Sequence, residues 1–366
     1  MLYKQASLRL KWLDIAKGIT IILMVIGHTS IPDPFSRFIF AFHMPLFFIA
    51  SGWTTNWNKY NYMEFAKRKF RSIMVPFMVY SVIVLSIQTI SMGGDCPKTS
   101  AYNSENLQSE GLAGVSCLIS HKIAPFLDHS NSHMSNDAYK LKVERSKADV
   151  LGRAGGGYLQ RWLVYGWQGY ALWFIPVLFF ASILSRFVHI AHSSYFHYSM
   201  MIFFVFVGSL LKQIDIYLPW ALSTVPFACF FILLGTELKK KQDIINTPRW
   251  WILVGCFIVT SVISHFWKLD MAWNNILPVI PLITGAITGT IMIFCLSSYI
   301  ERYTIYVSKV LTNVGQETFC IVAFSQLIIM LLRHYTLLNS ITCYFILIVS
   351  LSIIIYIKKS IKKTFR

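Results

Sequence analysis

Apolar residues fall along this chain in blocks of helix length, separated by short polar breaks. A bilayer core takes roughly 20 apolar residues per spanning helix. On that measure the pattern predicts ten spanning segments, at 15–34, 36–55, 73–92, 170–190, 195–211, 217–237, 250–267, 276–298, 318–333 and 340–357. The second carries an internal histidine, and the fifth is short, with His197 near its start. The expected fold is all-α: a polytopic membrane protein of about ten transmembrane helices, forming one membrane domain over residues 1–366. No cleavable signal is expected, because the first apolar run is followed by no small-residue cleavage site and keeps its charges inside the helix.

One stretch breaks the pattern. From 93 to 157 the chain is rich in Ser, Asn, Lys and His, holds no spanning run, and ends in RAGGG before the amphipathic YLQRWLVYGWQG. It reads as a long polar extracytoplasmic loop or insertion. Cys96 and Cys117 within it stand either as a disulfide, on a face that is oxidising in most cells, or as two free thiols. The other five cysteines fall in apolar runs and read as packing residues. No Cys/His spacing matches a zinc site, and His121, His129 and His133 are too loosely spaced to suggest a metal centre.

Composition agrees with the pattern: 55% hydrophobic residues, 13% charged residues and a mean hydropathy of +0.55 lie outside the soluble globular range. A net charge of +17 would suggest nucleic acid in a soluble chain. Here much of the excess sits in short clusters between apolar runs, where topology signals sit, so membrane lipids and not nucleic acid are the expected surroundings. A cytoplasmic N-terminus puts Lys4, Arg9, Lys11, residues 59–71, Arg186, Lys239 to Lys241, Arg249, Arg302, Lys309 and the basic tail on the inner side. The short outer loops then hold only Arg37, Lys212, Lys268 and Arg333. The expectation is a multi-pass protein of the cell membrane with both termini cytoplasmic.

Candidate chemistry concentrates in DIAKGITIILMVIGH at 14–28. At about 100° per residue, Lys17 and His28 point within roughly 20° of each other, and Asp14 falls within about 60° of both. A charge left in hydrocarbon costs several kcal/mol, so this face is expected to line a protein or wet cavity. A rise of ~1.5 Å per residue separates Lys17 from His28 by roughly 16 Å, which suits a reaction drawing on both sides of the membrane. Plainer readings stand beside this one: an interfacial Asp14 and Lys17 pair with the lysine snorkelling, and a packing role for His28. The next run, FAFHMPLFFIASG, returns through a short IPDPFSR loop and sets His43 at a similar depth. Pro45 beside it removes a backbone hydrogen bond and tends to kink a helix.

These residues carry a resemblance. Lys17, ten residues and His28, followed by FHMPLFF-xx-SG at 42–52, resemble the membrane acyltransferase-3 family, and within it the fucose 4-O-acetylase and exopolysaccharide O-acetyltransferase branch. KRKFRSIMVPF at 67–77, LWFIPVLF at 172–179 and VPFACFFILLG at 225–235 are similar to later elements of that family. The resemblance spans the chain apart from 93–157. It departs in the ninth segment, where many relatives carry a histidine and this sequence reads AFSQLII, with Ser325 and Gln326. No GxSxG or GDS signal marks a second esterase-like domain of the kind some relatives carry.

The resemblance implies acetyl-CoA as donor substrate, no tightly bound cofactor, and a glycan or lipid-linked sugar as acceptor. On that basis His28 is the expected general base for a sugar hydroxyl. His43 is expected to stabilise the oxyanion or orient the acceptor, with Asp14 and Lys17 completing the catalytic set. Arg68 and Arg71, with Lys67 and Lys69, are the expected partners of the donor phosphates; topology charge is the plainer reading for the two lysines. Trp173 is expected either to stack on a sugar ring or to anchor at the interface, and Ser325 is the candidate acceptor contact at the place of the missing histidine. The competing class is a transporter of a small solute or lipid-linked sugar. A purely structural scaffold leaves Lys17, His28 and His43 unexplained.

Overall fold

The computed structural model describes residues 10–28, 31–92, 170–191, 193–214, 218–246, 249–335 and 340–364. The polar insertion, with Cys96, Cys117, His121, His129 and His133, lies outside the described residues. Each of the ten apolar runs coincides with a helix: α1 (Lys11–Gly27), α2 (Asp33–Thr54), α4 (Val75–Met92), α5 (Phe174–Ile190), α6 (Ser194–Gln213), α7 (Val225–Lys240), α8 (Trp250–Phe266), α9 (Val279–Tyr303), α11 (Thr318–Tyr335) and α12 (Ser340–Thr364). Two amphipathic helices, α3 (Tyr62–Lys69) and α10 (Ile305–Gln316), lie between them. Among the described residues there is no strand, only an isolated bridge between Asp270 and Asn275. The protein is an all-α polytopic membrane protein. Among the described residues four stretches, Asp33–Thr54, Ser194–Gln213, Trp220–Lys240 and Val279–Tyr303, are long and apolar enough to cross a membrane; α5 and α8 are shorter apolar helices.

Local chemistry sets several boundaries away from the hydropathy edges. α1 stops at Gly27, one residue short of the histidine, and the His28 N–H still reaches back to the carbonyls of Met24 and Val25 at 3.2 and 3.3 Å. α2 opens with Pro34 in its first turn, where a missing N–H is harmless, and Arg37 closes on Asp33 at 2.6 Å. Inside α2, Pro45 removes one helical hydrogen bond, yet the helix continues to Thr54. Ahead of α4, whose segment was expected at 73–92, α3 ends at Lys69 and a π-helical turn, Phe70–Met74, intervenes.

The described residues form two compact units. The first takes Met1–Phe70 and Val177–Phe319, the second Arg71–Pro176 and Cys320–Arg366. In the first, α2 packs on α7, α1 on α10, and α9 on α1, α2 and α8. Lipid is as apolar as leucine, so helices in a bilayer associate through close packing more than through a hydrophobic drive. Two reciprocal glycine crossings supply that packing. A Cβ at Gly52 would run into the Ile232 carbonyl and one at Gly235 into the Ile49 carbonyl. Likewise Gly18 meets the Leu311 carbonyl and Gly315 that of Asp14. Thus FHMPLFFIASG and VPFACFFILLG each end in one glycine of the same α2–α7 crossing.

Trp12, Trp53 and Phe294 form an edge-to-face cluster, centroids 5.1 to 5.9 Å apart, where α1 begins and α2 ends. Large apolar side chains left outside, such as Ile202, Phe203 and Phe206 on α6 and Phe257 and Ile258 on α8, make the surface a bilayer would cover. Beyond α8, the connection to α9 is pinned by Thr224 Oγ1 donating to the Met271 carbonyl at 2.7 Å and Asn274 Nδ2 donating to that of Gly208 at 3.3 Å. In the second unit, Tyr80 of α4 meets Phe324 of α11 edge-on at 5.3 Å.

Candidate active site

Because only five residues separate α1 from α2, the two run antiparallel and the end of one faces the first turns of the other. The His28 and His43 rings lie 6.2 Å apart, edge to face. Phe40 touches both, at 5.4 and 4.8 Å, and Lys268 Nζ stands 5.1 Å over the Phe40 ring. His28 is half-buried at the helix end, whereas His43 is 3% exposed. His43 Nδ1 lies 3.0 Å from the Ile39 carbonyl. A carbonyl only accepts, so Nδ1 carries the proton and Nε2 of the neutral ring is left as the acceptor. A neutral His43 in that tautomer has no N–H to give an oxyanion, which favours the orienting role over the oxyanion role. Lys268 brings a cation beside this pair, and reading the sequence counted it only as an outer-loop charge.

At the other end of α1, Lys17 pairs with Asp14 at 3.7 Å. Asp14 is buried and Lys17 half-buried. Its partner three residues away gives Asp14 the compensation a buried carboxylate needs. Asp14 also offers its backbone carbonyl to the Gly315 crossing, so this pair sits in a packed helix contact.

The basic segment differs from expectation. Arg68 points at Glu64 through both Nε and Nη2, at 3.1 and 3.0 Å, and its guanidinium stacks 4.2 Å from the Tyr60 ring. Arg71 is exposed on the π-helical turn, so the three-residue spacing from Arg68 crosses a change of helical pitch and no longer implies neighbouring faces. Lys67 is exposed, and Lys69 is half-buried with its Nζ 5.5 Å over Phe65. Burial pulls the Lys69 ammonium down to about 8. In the second unit, Trp173 is 5% exposed and lies in a 3₁₀ turn, Tyr170–Trp173. Ser325 is fully buried, and its Oγ has no hydrogen-bond partner.

A feature that reading the sequence missed lies at the end of the first unit remote from His28. The residues that follow α2, the last of α5 and α7 and the first of α6 line an open polar cavity of about 460 Å³, among them Asn56, Trp57, His189, Ser193, His197 and Lys239. Glu237 is its hub, taking Lys240 Nζ at 2.7 Å and the Tyr198 hydroxyl at 3.0 Å. His197 Nε2 lies 3.3 Å from Glu237 but too far off line for a hydrogen bond. His189 stacks on Trp57 at 4.4 Å, and Trp57 Nε1 donates to Thr236 Oγ1 at 3.1 Å. The signal was in the sequence, since VHIAHSSYFHY sets three histidines around one helix break. Among the described residues no group of His, Cys, Asp and Glu is arranged to hold a metal ion.

A family model for an acyltransferase domain matches residues 10–357. The chain belongs to the membrane acyltransferase-3 family. No curated protein and no solved structure gives a significant match. Membership makes the protein an acyltransferase, with an acyl donor and an acceptor as its substrates. Among the described residues, the histidine pair and the polar cavity, at opposite ends of the first unit, are two places where chemistry-bearing side chains converge.

Proposed function

We propose that this acyltransferase transfers an acetyl group from acetyl-CoA to a sugar hydroxyl of a cell-surface polysaccharide or its lipid-linked precursor. The histidine pair, 6.2 Å apart on antiparallel helices, is the observation that supports this most. In this reading His28, the more accessible imidazole, takes the proton from the acceptor hydroxyl as its oxygen attacks the thioester carbonyl. The carbon–sulfur bond then breaks, and the CoA sulfur leaves as thiolate and takes up a proton. His43 holds the acceptor through Nε2, and Lys268 supplies positive charge beside the developing oxyanion. Asp14 and Lys17, paired within α1, stand at the end of that helix remote from His28.

The protein lies in the cell membrane with both termini cytoplasmic. Acetyl-CoA then approaches from the inner side, where Arg71, Lys67 and Lys69 offer charge to its phosphates and Arg68 does so in competition with Glu64. Mass spectrometry of surface glycans from cells with and without the intact gene tests the activity. Loss of an acetyl mass from one glycan is the expected result; an unchanged glycan profile with altered solute uptake refutes it.

A further inference from the structure

Arg186 reads from the sequence as one inner-side charge among many, but the fold does not treat it as one. A topology charge keeps its head in water or among headgroups, and Lys59, Lys67 and Arg68 are exposed accordingly. Arg186, in the last turns of α5, is 8% exposed. Its Nη2 donates to the Tyr60 carbonyl at 2.9 Å, in the connection between α2 and α3. Nε is enclosed and has no partner, whereas Nη1 is neither partnered nor enclosed in that way.

Among the described residues no carboxylate pairs with this guanidinium. Glu64 is held by Arg68, and Glu237 by Lys240 and Tyr198. A buried cation is costly without a counter-charge, and where a lysine or histidine escapes by losing its proton, a guanidinium cannot. One backbone carbonyl offers only a partial charge, so the outer edge of the fork is left for an anion that the chain does not supply.

The surroundings of Tyr60 indicate which anion. Its carbonyl takes Arg186, while its ring carries the Arg68 guanidinium at 4.2 Å and Lys59 Nζ at 5.3 Å. Three cations thus meet one tyrosine, and Arg186 is the buried one. All lie in the first unit. A planar fork with spare N–H groups matches phosphate oxygens two at a time.

We infer that Arg186 is the anchor for the phosphate esters of the acyl donor, an assignment that rests on the acetyl-CoA reading above and stands beside the basic segment named there. Lys67 and Arg68 draw the anion in from solvent, and Arg186, held by Tyr60, fixes where it stops. Exposed charges contribute little each because water and salt screen them, so most of the affinity resides in the buried arginine.

The test is calorimetric titration of purified full-length protein with CoA, adenosine 3′,5′-bisphosphate and glycerol 3-phosphate, the last standing in for a lipid headgroup, with thermal unfolding of the same samples. Arg186→Gln removes the charge, and Arg186→Lys keeps it but loses the fork. The first is expected to bind CoA and the bisphosphate about tenfold or more weaker than the parent, the second to fall between. The bisphosphate is expected to displace CoA better than glycerol phosphate does. Loss of an unpaired buried charge is expected to leave ligand-free Arg186→Gln at least as stable as the parent, while saturating CoA raises the unfolding temperature of the parent more than that of the variant. An Arg186→Gln protein that unfolds earlier without ligand, or does not fold, makes the arginine a structural residue and overturns the inference. So does better displacement by glycerol phosphate, which assigns the fork to a lipid. Parental CoA affinity in Arg186→Gln overturns the inference alone; a parent that does not bind CoA takes the acetyl-CoA reading down with it.

Discussion

The two ends of the first unit solve different problems with the same residue type. At one end, His28 and His43 stand among Phe40 and Lys268, with few polar neighbours and one backbone carbonyl to fix a tautomer. At the other, His189 and His197 sit among hydroxyls, amides, lysines and a carboxylate hub. The first arrangement suits proton transfer, where one ring nitrogen must be held in a known state. The second is a fixed polar surface organised around Glu237. Separating the two ends lets each be tuned without disturbing the other, provided the helices between them stay rigid.

That rigidity is the largest effect to break. Gly235→Leu places a side chain against the Ile49 carbonyl on α2, and backbone yields less readily than a side chain. The cost is expected to exceed the ~1–3 kcal/mol typical of overpacking. Both ends should be lost together, read as collapse of the monodisperse peak in size-exclusion chromatography of detergent-solubilised protein. An intact peak with normal activity would show that the ends do not depend on this crossing.

Next in size, Lys268→Gln should separate the ends. Removing one charge beside the developing oxyanion is expected to lower turnover about tenfold and to leave CoA affinity at the parental value, since the basic residues proposed to meet its phosphates lie beyond the other end of α2. An equal fall in both would merge the two sites.

The smallest effect sharpens the donor side. Lys69 carries an ammonium that burial holds near 8. If it helps hold donor phosphate, CoA affinity should decline a few-fold as pH rises through about 8, and Lys69→Arg should remove that decline because arginine stays charged. Stability should move the opposite way. Between about 8 and the ordinary lysine value the unfolded chain binds more protons than the folded one, so the folded state gains stability as pH rises. Affinity that is flat across this range would leave Lys69 as a topology charge.

These ends were unequally legible in the sequence. The pair of His28 and His43 could be read because its parts lie on two consecutive helices joined by a short connection, where helical period and antiparallel return suffice to bring them together. The glycines of FHMPLFFIASG and VPFACFFILLG were visible as motif residues, but their reason, a backbone contact between α2 and α7, is tertiary. The cavity draws on four helix ends distant in sequence, and local periodicity cannot bring these together, although VHIAHSSYFHY was a cue. For Arg68 the local partner was legible but overlooked: Glu64 lies four residues before it, the spacing that favours a helical ion pair. The π-helical turn after Lys69 has no sequence signal that composition or hydropathy registers.

The central claim is that transfer happens at His28 while donor recognition happens elsewhere. The most direct measurement is the acetyl-transfer rate of His28→Ala in cells, read by mass spectrometry of surface glycans, beside the CoA affinity of the same purified variant. Loss of a positioned general base typically costs ~10²–10⁴ in rate. Transfer should therefore fall by that factor, further than in His43→Ala, while CoA binds as in the parent. Parental acetylation in His28→Ala, or loss of CoA binding in a folded His28→Ala protein, would contradict the account.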